Sequence, residues 1–129
     1  MSYTVTAAEN GRYIRIDVVG EITGEIASKY ILDSHALGAD LGISCYLVDA
    51  VEARNTERAL DNYRFSRDGL DQIPGFDPHA CVAILAAAGD RSHDFYIAAA
   101  QTAGTDITVF YDEAEAIAHL ETRTDQPPS

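Results

Sequence analysis

The stretch from residue 80 to residue 120 constrains the fold of this chain more than any other part of it. It begins with an unbroken apolar run at 80–86, which is typical of a parallel strand buried on both faces of a sheet. An alanine-rich segment with helical spacing follows as far as Gly104, then the short apolar run 107–110, and then an acidic helix start at 112–115. The stretch therefore predicts a β-α-β-α unit within an α/β fold.

A β-hairpin is predicted at the N-terminus. Apolar and polar residues alternate in 3–7 and again in 13–18, as expected for strands with one buried face. Between them lies the pair Asn10-Gly11, which type I′ turns favour because both of their central residues need a positive φ. The hairpin adds two strands ahead of the β-α-β-α unit.

A helix, a third strand and a second helix are predicted between the hairpin and residue 80. Thr23 is a suitable N-cap for the first helix, and Gly38 offers a stop. Residues 43–49 read as a strand, and 51–72 as a loop that leads into a long helix. The predicted order is therefore β-β-α-β-α-β-α-β-α.

Length and charge restrict the organisation and the partners of the chain. Its 129 residues suffice for one domain, predicted at 1–121 and followed by a polar, disordered tail at 122–129. The net charge of −12 repels phosphates, so we predict no nucleic-acid partner. Since the sequence has neither a long apolar run nor a signal-peptide pattern, we expect a cytoplasmic protein.

The cysteines and histidines show no metal-binding spacing. Cys45 and Cys81 both fall in predicted interior strands, where buried reduced thiols are expected. The four histidines lack H-x-H and H-E-x-x-H patterns, and the pair Asp77 and His79 alone would make a poor site. A glycine-rich phosphate loop is also missing from the sequence. We therefore predict no metal and no cofactor.

Residues 90–94, with the sequence DRSHD, contain the residue types of a serine-hydrolase triad. Adjacent residues on a helix point about 100° apart, so Ser92 and His93 are poorly placed to act as nucleophile and base. The sequence also lacks the Gly-x-Ser-x-Gly turn of the common hydrolases. Capping of the next helix by Ser92 or Asp90 explains the segment, and we predict neither a catalytic residue nor an enzyme.

The second predicted helix carries an aromatic residue that its own core stripe does not explain. Phe65 has only polar residues or glycine three and four positions away. Four arginines lie in the same segment, at Arg54, Arg58, Arg64 and Arg67. A solvated helix with surface ion pairs and a contact surface anchored by Phe65 explain this composition equally well.

An apolar pocket between the first two helices is a further candidate. These helices carry a surplus of large side chains, namely Tyr30, Ile31, Leu37, Tyr63, Phe65 and Leu70. The turn-rich loop 73–79, which contains Phe76, is placed to act as a hinge or lid. Ordinary core packing explains most of these residues. The additional aromatic residues Phe65 and Phe76 are better explained by an apolar ligand pocket.

Several short strings occur in the order and spacing of a known family. They are GEIT at 20–23, LVD at 47–49, VAIL at 82–85, VF at 109–110 and EAIAHL at 115–120. Across roughly residues 3–121 the chain resembles the SpoIIAA-like branch of the STAS superfamily. This resemblance implies a mixed sheet of four or five strands with about four helices, packed mainly on one face. His119 departs from the pattern, which often has an aromatic such as Trp before the final Leu.

The resemblance also suggests two kinds of function. STAS domains are regulatory modules, switched by phosphorylation of a Ser in an Asp-Ser-(Ser/Thr)-Gly motif after the third strand. The matching window, 54–58, contains neither Ser nor Gly, so Thr56 is the one candidate phosphosite, with a helix cap as its alternative role. The SpoIIAA-like branch is also similar to Sec14-type lipid carriers, which implies an apolar ligand or a membrane surface.

We therefore predict a non-enzymatic binding or regulatory domain. It would bind a small apolar or amphipathic ligand, or a membrane surface, through the second helix and the 73–79 loop. The predicted contact residues are Tyr30, Arg58, Tyr63, Arg64, Phe65, Arg67 and Phe76. Because the protein is acidic, any contact with an anionic membrane must be local, peripheral and salt-sensitive.

A protein-interaction module is the alternative. It would dock a partner through the same surface, in the manner of an anti-sigma-factor antagonist, with or without phosphorylation of Thr56. The sequence also leaves open whether the protein forms a homodimer.

Overall fold

The computed structural model describes residues 2–56, 61, 64, 69 and 72–124. These residues form five strands and three helices. They are β1 (Ser2–Ala7), β2 (Ile14–Ile22), α1 (Gly24–Leu41), β3 (Cys45–Asn55), β4 (Cys81–Ala86), α2 (Asp94–Thr102), β5 (Asp106–Phe110) and α3 (Glu113–Thr124). The predicted second helix falls almost entirely outside the described residues, as does the end of the predicted tail, 125–129.

All five strands belong to one mixed sheet in the order β1-β2-β3-β4-β5. β1 and β2 pair antiparallel as a hairpin, whereas β2, β3, β4 and β5 run parallel to one another. Parallel neighbours need a connection that crosses over the sheet, and α1 and α2 lie in two of these connections. The predicted α/β class and mixed sheet are confirmed.

The hairpin forms where the sequence predicts it, but its turn is not the expected type I′. Among the described residues only glycines have a positive φ, so Asn10 keeps an ordinary backbone conformation and Gly11, with φ of 70°, takes the left-handed one. The N–H of Gly11 donates to the carbonyl of Ala8 at 2.9 Å. The side-chain oxygen of Asn10 accepts from the N–H of Arg12 at 3.0 Å, which stabilises this wider turn.

Helix α1 begins as predicted and ends four residues later than expected. The hydroxyl of Thr23 accepts a hydrogen bond from the N–H of Ile26, which makes Thr23 the N-cap. Gly38 does not stop the helix, which continues to Leu41 and ends at Gly42 in the left-handed conformation. Gly38 instead lies where α1 passes close to Tyr46 of β3, with no room for a Cβ atom.

Strand β3 is longer than the sequence predicts. It begins at Cys45, two residues after the predicted start, and continues through residues 50–55, which were expected in part as a loop. The extension is stabilised by pairing with β2, where Glu21 lies opposite Arg54 and Ile22 opposite Asn55. Long-range pairing of this kind overrides the polar composition of residues 52–55.

The sheet separates two apolar cores, because successive residues of a strand point to opposite faces. On the first face, Tyr46, Val48 and Ile84 pack against α1 and α2. On the second face, Leu47 and Ala83 pack against α3. Two of the three described helices thus share one face. Both cysteines are buried with free thiols, as predicted.

Candidate functional site

An aromatic chamber lies on the first face, between α1, α2 and the middle of the sheet. We define it by Tyr30 and His35 of α1, Tyr46 of β3, Phe76 of the 73–79 loop, and Tyr96 of α2. Four of these side chains are buried, and Phe76 is half-buried at the mouth of the chamber.

Helical periodicity explains how α1 lines the chamber. Its buried residues recur at intervals of three and four, and they are Ala27, Tyr30, Ile31, Ser34, His35 and Gly38. His35 therefore faces the sheet together with apolar neighbours, although imidazole is polar. A buried imidazole requires a hydrogen-bond partner, and the 73–79 loop supplies it.

Three rings stack at the mouth of the chamber. The ring centroids of His35 and Tyr46 are 4.4 Å apart with an interplanar angle of 19°. Phe76 lies on the other side of His35, at 5.3 Å and 13°. The stack of Tyr46, His35 and Phe76 thus runs from the sheet through α1 to the loop, and Phe76 is its outermost ring.

A hydrogen bond fixes the loop to the same histidine. The N–H of Asp77 donates to Nδ1 of His35 at 3.0 Å, so this nitrogen carries no proton and the neutral ring carries its proton on Nε2. Burial lowers the pKa of His35, and the opposing charge of Asp77 does not cancel this effect. The mouth of the chamber is therefore held closed by an uncharged imidazole at neutral pH.

The rest of the chamber is also uncharged at neutral pH. Burial raises the pKa of Tyr30, and raises the pKa of Tyr96 and of Tyr46 to about 12, so these phenols stay protonated. No carboxylate, lysine or arginine is found among the described residues that line the chamber. Its chemistry suits an apolar or weakly polar occupant.

The chamber encloses little free space in this conformation. One cavity of about 30 Å³ lies next to Phe76, and a second of about 20 Å³ lies near the start of α1. Tyr30, Val48, Ile84 and Tyr96 line both cavities. Each volume is sufficient for one or two water molecules, so a larger occupant requires Phe76 to move.

The second cavity ends at a polar cluster. His93 lines it and is 2% exposed, with Nε2 at 3.4 Å from the carboxylate of Asp90 and without a hydrogen-bond partner in the part of the chain that the structure describes. The hydroxyl of Ser92 accepts from the N–H of Asn55, which ties the end of β3 to the loop before α2. His93, not Ser92 or Asp90, occupies the N-cap position of α2, so the predicted capping is wrong.

The structure brings together two of the residues predicted for the contact surface. Tyr30 and Phe76 line the same cavity, which lies between α1, α2 and the sheet. Arg64 and Thr56 are exposed, and the N–H of Thr56 donates to the carbonyl of Ile22 at 3.1 Å. The four remaining predicted residues, Arg58, Tyr63, Phe65 and Arg67, lie outside the described residues.

Sequence reasoning missed His35 and Tyr46. The signal for His35 was its helical spacing of four from Ile31, which places an imidazole on the apolar stripe of α1. Tyr46 has no comparable signal, because a tyrosine in a buried strand is common.

An open groove of about 430 Å³ lies on the second face, between β2, β3 and the start of α3. Its acidic rim consists of Asp17, Asp49, Glu52, Asp112 and Glu113. Val19 and Val51 line the groove and are 45% and 46% exposed. Arg15 offsets part of the negative charge, since its guanidinium pairs with Asp17, Asp49 and Glu113.

Comparison with known proteins shows the fold of the chain. No protein-family model matches the sequence, and no curated protein matches it. Among solved structures, the chain is similar to an uncharacterised protein of the DUF3478 family with a SpoIIAA-like fold from Shewanella loihica PV-4. The TM-score is 0.54 at 18% identity, over 92% of each chain.

The chain is therefore an α/β domain of the SpoIIAA-like fold, as its sequence strings suggested. Within the described segments, every helix is too short or too polar to cross a lipid bilayer.

Proposed function

We propose that this protein is a non-catalytic binding domain that takes one small, uncharged apolar or amphipathic molecule into the chamber. The stack of Tyr46, His35 and Phe76 carries this proposal. Among the described residues, Phe76 is the outermost ring of this stack, and the side chains that line the chamber carry no charge at neutral pH. A regulatory role for such binding fits the SpoIIAA-like fold.

The 73–79 loop is built to move as a unit. Two turns close it internally, through hydrogen bonds from the N–H of Phe76 to Ile73 and from the N–H of Ala80 to Asp77. Gly75 has a φ of 77°, a conformation that most other residues avoid. The Phe76 ring and the Asp77 N–H both act on His35, so one displacement releases both contacts.

A membrane surface is one source of the proposed occupant. Arg64 is exposed on the segment that the sequence predicts to meet acidic head groups. The net charge of −12 opposes adsorption to anionic lipid, so such a contact depends on local basic residues and weakens with salt.

Replacement of Phe76 tests whether this residue controls entry into the chamber. Loss of a stacked pair worth about 0.5–1.5 kcal/mol raises the open fraction about 2- to 10-fold. We expect Phe76→Ala to speed the association of the uncharged dye Nile red by that factor, in stopped-flow fluorescence. Phe95→Ala is the matched control, because Phe95 lies on α2 and is 50% exposed. Equal association rates for the two variants would contradict the claim that Phe76 controls entry into the chamber.

A filling substitution tests the chamber itself. Val48 lines both cavities, and Val48→Ile adds one methylene to this space without adding polarity. It should weaken Nile red binding while the protein stays folded.

Native mass spectrometry of the wild type should also show a co-purifying molecule that is lost on denaturation. Flotation with neutral and anionic vesicles tests whether the protein associates with a lipid surface, the proposed source of that molecule.

A protein-docking module is the second candidate, and the groove on the second face favours it. Exposed Val19 and Val51 beside an acidic rim would suit a basic amphipathic partner. A wild-type protein without a co-purifying molecule, without Nile red binding and without flotation would leave this candidate in place of the first.

A further inference from the structure

Three residues that can bind a metal, Cys81, Asp106 and His119, meet between α3 and the edge of the sheet where the parallel strands begin. Cys45, Cys81 and Asp106 are the first residues of β3, β4 and β5. Cys45 lies opposite Cys81, and Cys81 lies opposite Asp106, in the strand register. Neighbours in register point to the same face, so the three side chains form a row facing α3.

Helix α3 places an imidazole over this row. Nε2 of His119 lies 4.0 Å from Sγ of Cys81. One donor atom each from Cys81, Asp106 and His119 lie within 4.8 Å of one another. The ring of Phe110 packs against His119 at 5.2 Å and restrains its orientation.

We propose that Cys81, Asp106 and His119 bind a zinc ion. A thiolate, an imidazole and a carboxylate are the three donor types that zinc takes from proteins. In a tetrahedral site the sulfur and nitrogen ligands lie about 3.5 Å apart, so the observed 4.0 Å needs to close by only about half an ångström. Cys45, which lies opposite Cys81 in the strand register, is the candidate for a fourth ligand.

The neighbouring groups are compatible with a cation. Arg123 is the nearby positive group, and its Nη2 lies 3.6 Å from one carboxylate oxygen of Asp106, with both side chains about 40% exposed. A carboxylate has two oxygens, so one can bind zinc while the other faces Arg123. The hydrogen bond with Cys45 and burial both raise the pKa of Cys81, so zinc must displace the thiol proton when it binds.

The site differs from the chamber in position and in chemistry. The chamber lies on the first face and is uncharged, whereas the donors lie on the second face around a buried thiol. The proposal therefore stands independently of ligand binding in the chamber.

Metal titration of the reduced full-length protein tests the site. We expect one equivalent of zinc to be retained after dialysis. Cobalt should give a thiolate-to-metal charge-transfer band. Cys81→Ser should abolish that band, and His119→Gln should weaken zinc binding at least about 100-fold, since even outer-shell changes cost about 10- to 100-fold. His79→Gln, at an exposed loop histidine, is the matched control and should behave as wild type.

Circular dichroism of each variant shows whether it is folded before its metal content is compared. Zinc retention well below one equivalent by the wild type would overturn the proposal. Equal retention by wild type, Cys81→Ser and His119→Gln would also overturn it, because the bound zinc would then belong to surface carboxylates.

Discussion

At position 38, contact with strand β3 requires a glycine. A Cβ atom at this position would lie 2.6 Å from the carbonyl oxygen of Ile43 and closer still to the hydroxyl of Tyr46. The backbone carbonyl cannot easily retreat, because it also accepts a hydrogen bond from that hydroxyl. The glycine therefore permits the close packing of α1 on β3.

We predict that Gly38→Ala lowers the free energy of unfolding. Overpacking costs about 1–3 kcal/mol, which exceeds the gain of about 1 kcal/mol that alanine brings to a helix. Urea unfolding measures the difference. In a Tyr46→Phe background the cost should shrink without vanishing, since the contact with Ile43 remains. An alanine variant as stable as the wild type would show that the helix and strand can separate at no cost.

At the scale of elements, Arg15 connects three parts of the fold. Its guanidinium lies 2.6 Å from Asp49 of β3, 2.7 Å from Glu113 of α3 and 3.0 Å from Asp17 of β2. Three hydrogen-bonded carboxylates use the forked geometry of arginine, which lysine lacks. The network thus fixes the start of α3 against the sheet.

We predict that Arg15→Met destabilises the protein by about 1–2 kcal/mol, a value that allows for the partial exposure of all four groups. The three carboxylates would lose their shared cation in a protein of net charge −12. Chemical denaturation at low and high salt measures the effect, which should diminish as salt screens the repulsion. Arg91→Met is the control: among the described residues this exposed arginine pairs with Asp94, and its loss should cost clearly less than the loss of Arg15. Equal losses would contradict the network.

At the scale of the whole molecule, two buried histidines make stability depend on pH. Burial lowers the pKa of His35 and of His93, against the opposing charges of Asp77 and Asp90. The unfolded chain, with a histidine pKa of about 6.5, then binds protons that the folded protein does not. Stability therefore holds above about pH 6.5 and declines as the pH falls below it.

We predict that His35→Gln flattens this decline. Each neutral buried histidine contributes a slope of up to about 1.4 kcal/mol per pH unit. Unfolding free energies of the wild type and of His35→Gln, compared at about pH 7 and pH 5, measure the contribution of this histidine. His79→Gln, at an exposed loop histidine, is the matched control. An unchanged slope in His35→Gln would mean that the mouth of the chamber already opens in the folded protein.

The sequence by itself determined where most helices and strands form, because the signals for them are local. The alternation of Ile14, Ile16 and Val18 specifies a strand, and the hydroxyl of Thr23 specifies a helix start, within a few residues. The apolar run before Gly89 specifies a buried parallel strand in the same way. These signals were sufficient for the α/β class and for the SpoIIAA-like resemblance.

Only two of the five residues that define the chamber could be predicted. Tyr30 and Phe76 were recognised as surplus aromatic residues, whereas His35 and Tyr46 join them through stacking between residues 11 to 41 positions apart. The length of β3 and the role of Gly38 likewise depend on contacts with other elements.

Tertiary structure alone decided which residues meet. Cys81, Asp106 and His119 share no motif, and their separations of 25 and 13 residues follow no metal-binding pattern. Strand register places the first two side by side, and the packing of α3 brings the third within 4.0 Å of the thiol. Register and helix packing are properties of the whole sheet, set by burial on both of its faces, so no local stretch of sequence encodes them.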